Sequence, residues 1–266
     1  MDTISTSTKI LAEVDNAIGW ITFNNPRRHN AMSLEMWQAL GSILEVFGQD
    51  SSIRIVILRG AGEKAFVSGA DISEFEKKRS SQQQRDAYEK AFDAAQSRLA
   101  EFDKPLIAMI QGYCIGGGLA LALNTDIRIA TEDSVFGIPA ARLGLGYGYG
   151  AIKTLTSLVG PSHAKDILFS ARFLDTEEAL RIGLINFVVS RAGLSAKVQD
   201  YANTLVANAP LTIRASKAAV GEVLNDPGQP APHYIDELVN GCFLSEDYKE
   251  GREAFMEKRT PNFKGS

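Results

Sequence analysis

The sequence predicts an α/β fold built on a parallel sheet, followed by a mostly helical C-terminal part. Two continuous apolar segments, residues 53–60 and 106–115, are typical of strands that are buried on both faces of a parallel sheet. Strand, loop, helix and strand recur in that order between residues 53 and 131. After residue 150 the pattern becomes mostly helical.

The first elements follow from alternation and capping. Residues 9–14 and 17–23 alternate around a turn at Asp15–Asn16, which predicts a β-hairpin. After a polar loop, Ser33 is the expected N-cap of a helix whose apolar residues share one face. The strand at 53–60 then leads into a glycine-containing loop at 60–71.

The middle of the chain continues the same order. A long amphipathic helix over 84–102 precedes the strand at 106–115, which runs into three glycines, the apolar helix 119–124 and a strand at 126–131. The later predicted helices lie near 150–158, 162–169, 176–181, 194–207, 211–224 and 233–258, with a Pro/Gly-rich joint at 225–232. We expect an α/β core over residues 1–200 and a helical section over 201–266.

Composition and charge exclude several classes of protein. The 266 residues are 45% hydrophobic and 23% charged, as in globular proteins, and a net charge of −4 argues against a general nucleic-acid-binding role. Cys114 and Cys242 stand far apart without a Cys/His cluster, so we expect free thiols, with neither a zinc site nor a disulfide. No secretory signal or membrane-spanning apolar stretch is recognisable, so we expect a cytoplasmic protein that does not bind membranes.

Two glycine loops are the candidate site. "FVSGAD" at 66–71 and "IGGG" at 115–118 each follow a buried strand, at the sheet edge where α/β proteins bind ligands. The second loop opens a helix, whose first N–H groups have no partner within the helix. Two such N–H groups aimed at one point form an oxyanion hole. Spacing alone leaves two alternatives open, a phosphate cradle and simple strand–helix packing.

Five segments occur in register along nearly the whole chain: "NPRRHNAMS", "AFVSGADISEF", "IQGYCIGGGLALALNTDIRIA", "FGIPAARLGL" and "EDYKEGREAFMEKRTPNF". Together they resemble the crotonase superfamily, the enoyl-CoA hydratases and isomerases. The resemblance implies a crotonase-like spiral of ββα units with a helical C-terminal trimerisation section. It also implies an enzyme acting on a coenzyme A thioester, with no tightly bound cofactor or metal, assembled as a homotrimer or as a hexamer of two trimers.

The resemblance also assigns site residues. It implies that the backbone N–H groups of Ser68 and Gly117 form the oxyanion hole that holds the thioester oxygen. It places Arg28 near a phosphate or the adenine of CoA, and Phe263 and Lys264 on a tail that reaches a neighbouring subunit's adenine site. The remaining residues implied in CoA binding are Ala31, Gly69, Ala70, Asp71 and Gly116.

The chain departs from the family at the two catalytic acids. Typical family hydratases carry glutamates at the positions of Ala120 and Ala140, and a methyl group can neither accept a proton nor orient water. The sequence therefore predicts that the protein is not an efficient hydratase of the standard kind. Nearby Tyr147 is the tentative substitute, because it falls in register with a tyrosine of superfamily methylmalonyl-CoA decarboxylases, which also carry a histidine at the position of Ala70. Packing or lining of the acyl pocket is the alternative role for Tyr147 and for Tyr149.

These residues leave several functions open. Decarboxylation, isomerisation and thioester hydrolysis are compatible with the two loops, and so is a CoA-binding protein without turnover. Among other side chains, Arg142 could attract an acyl carboxylate or form a structural ion pair, and His29 could contact CoA or lie at the surface. For Asp71, capping a helix that starts at residue 72 is favoured over a catalytic role. Glu74 and Glu76 on that helix could approach the acyl site, but solvated charges are the default expectation.

Overall fold

A computed structural model of the chain describes residues 7–71, 82–224 and 233–266. The strands are β1 Ile10–Asp15, β2 Ile18–Phe23, β3 Ile55–Gly60, β4 Ala65–Val67, β5 Leu106–Ile110, β6 Tyr113–Ile115, β7 Ile127–Thr131, β8 Val135–Gly137 and β9 Phe187–Val189. The helices are α1 Leu34–Gln49, α2 Gln82–Ala100, α3 Gly117–Leu123, α4 Ala140–Leu143, α5 Tyr149–Ser170, α6 Thr176–Arg181, α7 Leu194–Ala207, α8 Pro210–Val223, α9 His233–Leu244 and α10 Glu246–Glu257.

The strands form two sheets. The larger has the order β1-β2-β3-β5-β7-β9 and is parallel except for the β1–β2 hairpin, and the smaller has the parallel order β4-β6-β8. Three times along the chain, a strand of the larger sheet is followed by a strand of the smaller one: β3 by β4, β5 by β6 and β7 by β8. The predicted α/β fold with a parallel sheet and a helical C-terminal part is confirmed.

The larger sheet is buried on both faces. One face packs against α1, whose Trp37, Leu40 and Phe47 are almost completely buried in the main core. The other face is covered by α7, through Leu194 and Val198. The helix α1 begins as predicted, because the Ser33 side chain accepts a hydrogen bond from the Met36 N–H.

The segment 106–115 was predicted as a single strand, and this prediction is wrong. It forms β5 in the larger sheet and β6 in the smaller one, separated by a sharp turn at Gly112. Gly112 has φ +62°, and a β-carbon there would lie 2.1 Å from the Lys64 carbonyl oxygen. Only glycine fits this turn, which moves the chain from one sheet to the other.

The C-terminal helices differ from the prediction at their breaks. The predicted helix 233–258 is two helices, since Ser245 accepts a hydrogen bond from the Tyr248 N–H and caps α10. The segments predicted near 150–158 and 162–169 form α5, with a break at Gly160 before Pro161. Some predictions concern residues outside the described ranges: the joint at 225–232, and the helix expected from residue 72 with Glu74 and Glu76. Of the helices described, none has the length and apolar character needed to cross a membrane.

Candidate active site

The two glycine loops meet at the ends of neighbouring strands. β4 and β6 are paired in parallel, so the loops that follow them leave the small sheet side by side. A β-carbon built on Gly117 would lie 3.9 Å from the carbonyl carbon of Gly69 and 4.0 Å from the amide nitrogen of Ala70. The structure therefore brings the two predicted loops into contact.

The three glycines of the second loop have different functions. Gly116 takes φ +55° and ψ −117°, and its N–H donates to the Gly137 carbonyl at 2.8 Å. Gly118 packs so closely that a β-carbon would lie 2.0 Å from the Val67 carbonyl oxygen. Gly117, the first residue of α3, has no acceptor for its N–H within the described part of the chain. The N–H of Gly117 is therefore open at the start of α3.

The predicted donor Ser68 requires a correction. Its N–H donates to the carbonyl of His29 at 3.1 Å, so this amide is already used within the protein. Ala70 instead forms a parallel β-bridge with Met32. The two hydrogen bonds of this bridge join Met32 to the residues on either side of Ala70: the Met32 N–H donates to the Gly69 carbonyl, and the Asp71 N–H donates to the Met32 carbonyl. Because Met32 makes both of these bonds to the two neighbours of Ala70, the N–H of Ala70 itself points away from Met32. The Ala70 N–H is therefore the open amide beside Gly117.

The loop 26–31 is held in place by Asn30, a residue that the sequence analysis did not single out. Asn30 is completely buried, and its Nδ2 donates to the carbonyls of Ala61 and Ala65 at 2.9 and 2.8 Å. Its Oδ1 accepts from the Asn25 N–H at 3.0 Å. Asn30 also takes φ +56°, which asparagine tolerates better than most residues. This clamp fixes the carbonyl of His29 against Ser68.

The other predicted CoA-loop residues lie around this clamp. Arg28 ends a short 3-10 helix, Pro26–Arg28, with an exposed side chain, and its carbonyl accepts from the Ser68 hydroxyl at 3.3 Å. Ala31 is buried, and its N–H donates to the Arg28 carbonyl at 3.0 Å. The His29 ring lies 5.8 Å from that of Tyr113, between centroids. An exposed guanidinium thus borders the loops.

Tyr147 lies at the glycine loop. Its hydroxyl oxygen is 4.0 Å from the position of a β-carbon on Gly116. Burial raises the pKa of Tyr147 to about 12, with a further contribution from Tyr88 nearby. Tyr149, in contrast, is 82% exposed. A phenol that stays protonated at neutral pH can donate a proton but cannot serve there as a base.

An aromatic wall beneath the glycine loop was missed by the sequence analysis. The Trp37 ring lies 3.6 Å from the β-carbon position of Gly117, and its Nε1–H donates to the Tyr88 hydroxyl at 2.7 Å. Phe92, one turn after Tyr88 on α2, packs edge-on against Trp37 with ring centroids 4.9 Å apart. The only sequence signal was the apolar spacing on the two helices, which does not distinguish core from pocket.

Ala120 lies on the helix that the glycine loop opens, and Ala140 begins the helix that follows β8. The Ala120 N–H donates to the Gly116 carbonyl at 3.0 Å. Ala140 comes three residues after Gly137, the last residue of β8, whose carbonyl accepts from the Gly116 N–H. Both alanines are buried, with 3% and 7% of their surfaces exposed. Their methyl groups bring no proton-transfer group to this position.

Phe263 and Lys264 contact Arg54 and Asp247, which are not part of either glycine loop. The Phe263 carbonyl accepts a hydrogen bond from Arg54, which precedes β3, and the Lys264 N–H donates to Asp247 Oδ1 at 2.6 Å. Arg54 stands at the amino-terminal end of β3 in the larger sheet, whereas the two glycine loops follow β4 and β6 of the smaller sheet. Arg142 is exposed, with its guanidinium carbon 5.8 Å from the Phe173 ring centroid.

The chain is similar to known proteins over nearly its whole length. The family model for enoyl-CoA hydratase/isomerase matches residues 13–266. A short-chain-enoyl-CoA hydratase from Clostridium acetobutylicum is 35% identical over 94% of this chain and 95% of its own length. Among solved structures, an enoyl-CoA hydratase/carnithine racemase from Magnetospirillum magneticum has a TM-score of 0.92 at 37% identity, covering 98% of this chain and 97% of that one. An enoyl-CoA hydratase from Bacillus anthracis has a TM-score of 0.90 at 30% identity, covering 97% and 100%.

Proposed function

The chain belongs to the enoyl-CoA hydratase/isomerase family, and we propose that it stabilises a thioester enolate between the N–H groups of Ala70 and Gly117. In this proposal the Tyr147 phenol delivers a proton to the enolate. The substrate is an acyl-CoA thioester, and no tightly bound cofactor takes part.

The observation that carries the proposal is the pair of open amides. They come from two separate loops, and Ala70 N lies 4.0 Å from the β-carbon position of Gly117. Because amide donors fixed by the backbone need no reorganisation, they stabilise an oxygen that becomes negative during reaction better than water does. A thioester carbonyl placed between them gains charge when its neighbouring carbon becomes a carbanion.

The protonation state of Tyr147 decides which reactions fit. With a pKa of about 12 the phenol is a proton donor at neutral pH, and Ala120 and Ala140 supply no base. Decarboxylation needs no base to make an enolate: the bond from C2 to the carboxylate breaks, carbon dioxide leaves, and the electron pair moves onto the thioester oxygen. The enolate then takes the Tyr147 proton at C2, and solvent reprotonates the phenolate. We therefore favour decarboxylation of a 2-carboxyacyl-CoA, and thioester hydrolysis is the alternative.

The remaining site residues bind CoA in this proposal. Arg28 and Ala31 flank the nucleotide, and the backbone from Gly69 to Asp71, with Gly116, lines the pantetheine path. Phe263 and Lys264, held beside Arg54 and Asp247, reach the adenine bound by a neighbouring subunit. We propose a homotrimer, or a hexamer of two trimers, in which the helical section over 201–266 contributes these contacts to the core over 1–200.

Hydration is the second candidate, favoured by the name of the Clostridium acetobutylicum relative, a short-chain-enoyl-CoA hydratase. Incubating the protein in deuterium oxide with malonyl-, methylmalonyl- and crotonyl-CoA and analysing the products by mass spectrometry distinguishes the two. Loss of carbon dioxide with one deuterium at C2 supports decarboxylation. Rapid formation of 3-hydroxybutyryl-CoA would instead establish hydration and reject the role given to Tyr147.

A further inference from the structure

Gln96 on α2 carries a polar atom that the proposed chemistry does not use. Its Nε2 is fully buried and, within the described part of the chain, has no hydrogen-bond partner. A buried amide donor left without a partner is costly, so native structures retain few of them, many at functional positions. This atom therefore requires an explanation.

The orientation of the Gln96 amide is fixed by its neighbour. Asn124 Nδ2 donates to Gln96 Oε1 at 2.7 Å and to the Ala120 carbonyl at 3.0 Å. Turning over the Asn124 amide would set its oxygen against the Ala120 carbonyl, and turning over Gln96 would set two NH₂ groups against each other. The contacts on both sides thus assign the oxygen of Gln96 to Asn124 and leave Nε2 as the buried donor without a partner.

The position of this donor relates to the proposed oxyanion hole. Three residues stand about one helical turn apart along α3 and its C-cap: Gly117, Ala120 and Asn124. Three residues of α2 have the same spacing: Tyr88, Phe92 and Gln96. Trp37 contacts both the Gly117 end and the Tyr88 end, while Asn124 contacts Gln96. From the Trp37 end to the Asn124 end, the two helices therefore run in the same direction. Gln96 lies roughly 10 Å along them from Gly117, given the 1.5 Å rise per residue.

We propose that Gln96 Nε2 is the specificity-determining donor at the far end of the acyl site, taking an oxygen on the distal part of the acyl chain. This inference rests on the proposed function, because it assumes that the thioester is held at Gly117. The wall between the two ends is aromatic or aliphatic, with Tyr88, Phe92 and Ala120. This wall fits an alkyl chain with a hydroxyl or keto oxygen on about the eighth carbon, counted from the thioester carbon. An extended chain of that length spans the roughly 10 Å between Gly117 and Gln96.

Calorimetric binding of four saturated acyl-CoA ligands, which have no carboxylate to lose, tests the inference without requiring turnover. We expect 8-hydroxyoctanoyl-CoA to bind about ten times more tightly than octanoyl-CoA, and 6-hydroxyhexanoyl-CoA to show no such advantage over hexanoyl-CoA. Gln96→Met should abolish the preference while octanoyl-CoA binds as before or more tightly. The matched control, Gln83→Met, changes an exposed glutamine of the same helix and should keep the preference.

The outcomes separate this inference from the proposed function. Equal binding of the two octanoyl ligands by the unaltered protein would overturn the role of Gln96 and leave acyl-CoA binding intact. A preference that survives Gln96→Met would also overturn it. Failure of all four ligands to bind would reject both the inference and the proposed function.

Discussion

The backbone N–H of Ser68 donates a hydrogen bond of 3.1 Å to the carbonyl oxygen of His29. This contact joins the loop 26–31 to the loop after β4, and it uses the amide that the family resemblance assigned to the oxyanion hole. The amide nitrogen of Ala70 instead lies 4.0 Å from the β-carbon position of Gly117. The rigidity of the loop 26–31 therefore bears directly on where a thioester oxygen can bind.

Replacing Gly117 by proline should remove one of the two donors with little effect on folding. Proline is tolerated at the first position of a helix, where its missing N–H has no helical partner. We expect kcat to fall about 10²- to 10³-fold, as when one oxyanion donor is lost. The control is Gly146→Ala, since no atom lies within 4 Å of a β-carbon there. An unchanged kcat in steady-state assays of Gly117→Pro would contradict the assignment.

Removing the Tyr147 hydroxyl should impair the proton-transfer step. We expect Tyr147→Phe to lower kcat by about 10²- to 10⁴-fold, the usual contribution of a general acid, with KM nearly unchanged. Tyr149→Phe, which alters the exposed tyrosine two residues later, should retain full activity. If both variants retain full activity, Tyr147 only lines the pocket.

The raised pKa of Tyr147 predicts a particular dependence on pH. In the unfolded chain the phenol titrates near its ordinary value of 10, and in the folded protein at about 12, so between these values only the folded state retains the proton. The contribution of this group to the free energy of unfolding is thus fully present below pH 10 and is lost as the pH rises toward 12. Denaturant unfolding should show a smaller loss over this range for Tyr147→Phe than for the unaltered protein. Equal losses would mean that Tyr147 is not desolvated.

The Asn30 clamp should contribute more to stability than its backbone conformation alone. Asn16 and Asn30 both have positive φ, but Asn16 lies in an exposed turn and Asn30 is buried with three hydrogen bonds. We expect Asn16→Ala to lower the free energy of unfolding by about 1 kcal/mol and Asn30→Ala by about 4 kcal/mol. Urea titration of both variants measures the difference. Similar values would show that the side-chain hydrogen bonds contribute little.

Much of the fold was predictable because local patterns decided it. The hairpin, the Ser33 cap and the helices 176–181 and 194–207 follow from alternation, capping residues and helical spacing, which depend on neighbouring residues. The short strands β4, β8 and β9 were not predicted. Each has three residues, too few to show a period, and each forms only because partner strands from distant segments lie beside it.

The site was predictable at the level of loops and less so at the level of atoms. The motifs brought attention to Gly117 and Tyr147, and the structure places both at the junction of the two loops. Whether an amide is open depends on which carbonyl comes to meet it across the fold, and no local pattern reveals that His29 meets Ser68. The contacts of Trp37 with Tyr88 and of Asn124 with Gln96 likewise join helices that are distant in sequence.

A crystal structure with a non-hydrolysable acyl-CoA analogue tests the central claim most directly. We predict that the oxygen standing in for the thioester carbonyl lies 2.7–3.1 Å from the amide nitrogens of both Ala70 and Gly117. An oxygen held by the Ser68 amide, with the contact to His29 broken, or placed away from Gly117 altogether, would contradict it.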